Sequence, residues 1–179
     1  MTYFHHIKKQ NIEIAIHTYI EVQNPNSRRV QKVKDNREQH RNNLLIISCS
    51  SRKSSLHHGA ALYIYDGPML RMLRKHPLEG LDTKIISAKY GLIDARDNIS
   101  TYDMKMTKSR ALELRGSITK KLEDILKDGN YNEAFIELGK TYQMAINLNF
   151  ERFSPTKFVI DSGGIGVRLH NLKSWLERN

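Results

Sequence analysis

The chain is poor in cysteine, in proline and in acid, and it has no long apolar run. One cysteine in 179 residues excludes an internal disulfide framework, so a packed core must hold the fold. No stretch approaches the roughly 20 apolar residues of a membrane span. The opening M-T-Y-F-H-H-I-K-K-Q lacks the apolar segment of a secretory signal, and a cytoplasmic protein is expected. Acid is the most telling shortage: 19 Asp and Glu face 29 Lys and Arg, a formal net charge of +10. An imbalance of that size points to a polyanion, with nucleic acid the expected partner and a basic proteome or plain solubility the alternative. Metal signatures are missing too. The eight histidines include the adjacent pairs His5-His6 and His57-His58, but no H-x-x-x-H, H-E-x-x-H or C-x-x-C occurs, so neither metal nor cofactor is expected.

What is present divides at about residue 43. Residues 1–43 carry Lys8, Lys9, Arg28, Arg29, Lys32, Lys34, Arg37 and Arg41 against Glu13, Glu21, Asp35 and Glu38. Between Asn24 and Asn43 only Val30 and Val33 are sizeable apolar residues. The segment reads as a basic extension whose Arg28, Arg29 and Lys32 would follow a phosphate backbone. Within it, the alternation of Ile12, Ile14 and Ile16 suggests a strand over 11–22, with helix as the rival. Residues 44–179 read as one domain. Apolar runs at 44–49, 84–88, 134–138 and 157–161 are short enough for buried strands. A helix over 108–127 follows from Ala111, Leu114, Ile118, Leu122 and Ile125 recurring every three to four residues, with Thr107 as its cap. Asp66-Gly67-Pro68 reads as another helix start, with Met69, Leu70 and Leu73 turned to the core. A short helix is expected from Gly139 to Ile146, and a last one over 165–177 burying Ile165, Leu169, Leu172, Trp175 and Leu176. Alternation of this kind predicts an α/β fold with a mostly parallel sheet and helices on both faces. The stretch 90–106 has no period and is expected to be a long functional loop.

Three of the strands end in small polar residues, cations or glycines, which is how an open α/β sheet builds a ligand crevice. The first ends in Cys49-Ser50-Ser51-Arg52-Lys53, the second in Ser87-Ala88-Lys89-Tyr90-Gly91, the last in Asp161-Ser162-Gly163-Gly164-Ile165-Gly166. Neither a P-loop nor a dinucleotide fingerprint is present, so nucleotide hydrolysis and NAD binding lack their main signals. Cys49 is open to two readings, nucleophile or small packed residue. Asp103, beside Tyr102, could activate water or stabilise positive charge on a sugar, and Asp161 is the competing carboxylate. Tyr90 and Tyr102 could stack an extruded base.

The motifs C-S-S-R-K, I-I-S-A-K-Y-G-L, I-S-T-Y-D and G-G-I-G-V-R-L together resemble a domain family related to the peroxide-stress protein YaaA. They are also similar to the core domain of archaeosine synthase. The resemblance spans residues 44–176 and implies a uracil-DNA-glycosylase-like α/β fold tied to modified-base metabolism. It places Cys49, Ser50 and Lys53 in the first motif and Ser87, Lys89, Tyr90 and Gly91 in the second. Tyr102 and Asp103 fall in the third, and Gly164 and Gly166 in the last. The expected function is a DNA glycosylase removing a modified base from phage DNA, with glucosylated hydroxymethylcytosine the candidate. Ser50, Lys53 and Ser162 would contact the base's polar edge, and Arg52 and Arg168 would join the arm on phosphates. The alternatives are a non-catalytic DNA-binding protection module, a tRNA base-modifying enzyme and a hydrolase of free nucleosides.

Overall fold

A computed structural model describes residues 42–178 of the chain. The basic arm with Arg28, Arg29 and Lys32, and the strand expected over 11–22, lie outside the described residues.

The fold is built around β1 (Asn43–Ser48), whose Leu44, Leu45, Ile46 and Ile47 are wholly buried. A continuous apolar run is what a strand covered on both faces requires. Strand β3 (Leu81–Ser87) pairs with it in parallel on one side and β6 (Glu133–Glu137) on the other. Beyond β6 lies β7 (Lys157–Ile160), also parallel. Beyond β3 lies β4 (Gly91–Asp94), antiparallel, giving the order β4-β3-β1-β6-β7. A two-stranded ladder joins β2 (His58–Ala60) to β5 (Asn98–Ser100). The stretch 90–106 is therefore not one long loop. It contains β4 and β5, each too short to show a period in the sequence.

Helices cover both faces of the sheet, as expected. Leu45 and Ile47 pack with α1 (Ala61–Ile64), α2 (Pro68–Leu73) and α5 (Ile165–Leu176). Leu44 and Ile46 face α3 (Lys108–Asp128) and the chain around α4 (Lys140–Gln143). In α3, Ala111, Ile118, Leu122 and Leu126 are buried, and the Thr107 hydroxyl accepts the Arg110 amide at 3.1 Å. Leu114 and Ile125 lie at the margin of that stripe. At the start of α2, Gly67 rather than Asp66 occupies the cap position, with Pro68 following it. Asp66 instead holds Arg74 at 2.7 Å and also pairs with Arg71, two cations that keep its carboxyl well below the usual range. In α5, Leu172 and Trp175 are wholly buried, each contributing about 2 kcal/mol of apolar burial. Ile165 is 56% exposed and does not belong to the core. Its place in the first turn of α5 lifts it clear of the sheet. Among the described residues no helix is long and apolar enough to cross a membrane.

Candidate functional site

From β1 the chain crosses to β3 on one side and later returns to β6 on the other. The strand order thus reverses between β1 and β6, and the carboxyl ends of those strands border the crevice where such sheets bind ligands. Two groups of polar side chains lie there.

The first group hangs from β1 and β3. Cys49, just past β1, is buried, and its Sγ lies 3.1 Å from the Tyr142 hydroxyl and 3.7 Å from that of Tyr102. The Tyr102 hydroxyl also meets Ser87 Oγ at 2.8 Å and the Tyr65 hydroxyl at 2.9 Å. Tyr65 donates to Ser87 Oγ at 2.9 Å. Burial raises the pKa of each phenol: that of Tyr102 is pushed up to about 12, and those of Tyr65 and Tyr142 rise further. All three stay protonated at neutral pH and serve as neutral donors and acceptors. Two ammonium groups cover the Tyr102 ring, Lys53 Nζ at 4.6 Å and Lys89 Nζ at 5.7 Å from its centroid.

Local structure explains the convergence. The turn after β1 is pinned to the end of α1, because Asp66 donates its amide to the Arg52 carbonyl at 2.9 Å and Ser54 donates to Ile64 at 2.8 Å. Gly67 permits this: a Cβ there would sit 2.7 Å from Ser50 Cβ. Arg110 Nε donates to the Ala88 carbonyl at 2.8 Å and so fixes the turn that carries Lys89.

The second group hangs from β6 and β7. Glu137, the last residue of β6, is wholly buried. Its Oε1 lies 2.9 Å from Arg168 Nη1. This is a contact of charges rather than an aligned hydrogen bond, since neither atom has a hydrogen-bond partner. Burial raises the Glu137 carboxyl to about 7; Arg168 opposes that rise, Asp161 adds to it and the Ser48 backbone amide opposes it. Asp161, past β7, is 4% exposed. Its Oδ1 accepts the Ser162 amide at 2.9 Å and Asn171 Nδ2 at 2.8 Å, while Oδ2 is buried without a partner. Next to this pair opens a cavity of ≈ 420 Å³ lined by Gly139, Lys140, Gln143, Ser162, Gly163, Gly164 and Arg168.

The expected residues thus fall into three sets. Cys49, Lys53, Ser87, Lys89, Tyr90 and Tyr102 come together, with Ser50 and Arg52 on the exposed side of the same turn. Asp161, Ser162, Gly164 and Arg168 form the β6–β7 group. Asp103 stands apart: it is exposed, and its carboxylate makes no hydrogen bond or ion pair with the described residues. Two expectations change. Tyr90 and Tyr102 do not form parallel walls for a base, since their rings meet edge to face at 5.4 Å and Tyr102 points its hydroxyl into the buried network. Arg168 is an inward side chain, 14% exposed and held against Glu137, so it would meet a phosphate inside the cavity and not on an outer surface.

Glu137, Tyr65 and Tyr142 were not among the residues expected from the sequence. Glu137 had a signal, a lone acid closing the apolar strand A-F-I-E-L. The tyrosines had none, because short helices hide which side they face. Among the described residues, no three of His, Cys, Asp and Glu gather where they could hold a metal ion.

Residues 44–174 match a family of unknown function, DUF6884, and the chain belongs to that family. No curated protein matches it. A solved structure similar to it is that of AF0587, a protein of unknown function, with 14% identity and a TM-score of 0.45. That likeness covers 76% of this chain and 44% of the other, so the chain spans less than half the length of that protein.

Proposed function

We propose that this member of a family without an assigned activity is a DNA glycosylase that removes a modified nucleobase. The observation that carries the reading is the group that hangs from β1 and β3. A thiol, four hydroxyls and two ammonium groups gather at the carboxyl ends of β1 and β3. Neutral hydroxyls that both donate and accept suit the polar edge of a base taken out of the stack. The resemblance of the C-S-S-R-K and S-A-K-Y-G-L motifs to modified-base enzymes directs this chemistry to phage DNA carrying glucosylated hydroxymethylcytosine.

In the reaction, water adds its oxygen to C1′ of the sugar as the C1′–N bond breaks. The base leaves with the bonding electrons and takes up a proton, and an abasic site remains. Asp103, the exposed and uncommitted carboxylate beside Tyr102, accepts the proton from water or offsets positive charge on the sugar. Asp161 suits that role less well because one of its oxygens already holds Ser162 and Asn171. Ser87, wholly buried, holds Tyr102 in place, and Lys53 and Lys89 above the Tyr102 ring favour the leaving base as negative charge develops on it.

The test is alkaline cleavage of phage DNA with glucosylated hydroxymethylcytosine, against unmodified DNA, after incubation with the full chain. Breaks confined to the modified DNA, lost in Asp103→Asn with DNA binding kept, support the reading. Binding without breaks on either DNA overturns it in favour of a non-catalytic module or a tRNA substrate.

A further inference from the structure

A second cavity, ≈ 590 Å³, lies between α2 and α5, and Gly166 forms part of its wall. Its other walls carry Arg71, Lys75, His76, His170 and Lys173 and no acid. The cavity beside Arg168, on the other side of the same helix turn, carries Lys140 and again no acid. At the β3–β4 edge the cavities differ: one is lined by Asp94, Asp97 and Asp124 and another by Asp82 and Asp94. Basic walls are therefore a property of the two cavities flanking the start of α5, not of every concave surface on a basic protein. Nearby acids offset only part of the charge: Glu137 lies against Arg168 at 2.9 Å, which leaves Lys140 as the other cation of the first cavity. Asp66 is shared between Arg71 and Arg74, leaving one positive charge, and Glu177 reaches Lys173 at 3.6 Å while Lys75 stays exposed.

The glycines between the two cavities give an independent indication. Gly163 needs its φ of +109°. Gly164 and Gly166 do not: Gly164 has a φ of −71°, Gly166 is helical, and a Cβ on either would meet nothing within 4 Å. Neither backbone conformation nor packing within the described residues calls for glycine there, and glycine in a helix is unfavourable relative to alanine. Glycine is common at a helix cap, which accounts for Gly164; close approach of something from outside accounts for Gly166. Gly164 caps α5 without a side-chain hydrogen bond, so the first amides of the helix face outward, where an anion is favoured.

We infer that the two cavities form one track for the phosphodiester backbone of duplex DNA, which crosses α5 at Gly164 and Gly166. Lys140 and Arg168 hold it on one side, and Lys75, Lys173, His76 and His170 on the other. The inference rests on the glycosylase reading only in taking DNA as the partner; it does not require excision.

The test uses the full chain, an unmodified duplex oligonucleotide and a salt series. Gly166→Ala should keep or raise the melting temperature and weaken binding at least fivefold. Gly116→Ala, in α3, also adds a methyl group to open space and should leave binding unchanged. Lys75→Gln with Lys140→Gln should flatten the slope of log affinity against log salt by about 1.8, at roughly 0.9 for each phosphate no longer neutralised. Removing the same charge by Lys120→Gln with Lys121→Gln, on the far face of α3, should flatten it far less. Wild-type affinity in Gly166→Ala, equal flattening by both lysine pairs, or no binding of the duplex at low salt would each overturn the track. Track-dependent binding together with no abasic sites on modified DNA would overturn excision alone.

Discussion

Glu137 offers a measurement in which the sign matters as much as the size. Its carboxyl is raised by burial from an ordinary 4.5 to about 7. That difference corresponds to about 3 kcal/mol between its protonated and ionised forms. A carboxyl whose folded-state value lies above its unfolded one takes up a proton on folding. Its contribution is fully present below pH about 4.5 and is lost as pH rises through about 7. In Glu137→Gln that titration is gone, while the hydrogen-bonding shape of the neutral form remains. Urea unfolding of both proteins from pH 5 to pH 8 isolates the effect, because any constant offset from the amide cancels. The wild type should lose about 2.5 kcal/mol relative to Glu137→Gln across that range. A flat difference would mean that Glu137 titrates normally despite having no exposed surface. A difference of opposite sign would mean that Arg168, 2.9 Å away, outweighs burial and keeps the carboxylate ionised.

Three further outcomes follow from the packing described above. Tyr102→Phe removes a hydroxyl within 3 Å of Ser87 and Tyr65, leaves two buried groups short of a partner, and should cost about 1–3 kcal/mol by urea unfolding. Gly67→Ala places a methyl group 2.7 Å from Ser50 Cβ, so it should destabilise by about 1–3 kcal/mol and make the turn after β1 more sensitive to limited proteolysis. Leu122→Ala empties a wholly buried position on α3 and should cost about 2–5 kcal/mol while leaving DNA affinity at the α5 turn unchanged.

The large elements were legible in the sequence because burial writes a pattern. An apolar run such as Leu44–Ile47 can serve only where both faces are covered, and Ala111, Ile118 and Leu122 keep the helical period because one side of α3 meets the sheet. Thr107 and Gly139 mark helix starts for local chemical reasons that act without the rest of the fold. The antiparallel edge was not legible. Strands β4 and β5 are four and three residues long, and they are held by ladder hydrogen bonds whose partners lie elsewhere in the chain. In the site, Cys49, Ser87 and Lys53 announced themselves by following strands. Whether Tyr102 would offer a ring face or a hydroxyl depended on Lys53, Lys89 and Tyr65 arriving around it, a tertiary outcome. Ile165 misled for the opposite reason: it keeps the period of α5 but sits one turn before the core begins.

Sheet order also sets how firmly each group of residues is held. Strand β1 has a neighbour on either side, so its amides should be among the slowest to exchange with solvent. Cys49 is anchored to the central strand of the sheet. Strand β7 borders one neighbour, β6, and Ile160 at its end is half exposed. The turn that carries Ser162, Gly163 and Gly164 is thus attached where fraying is cheapest. One side of the crevice is held from both edges of its strand and the other only from one, so the two sides differ in how readily they can yield to whatever binds between them.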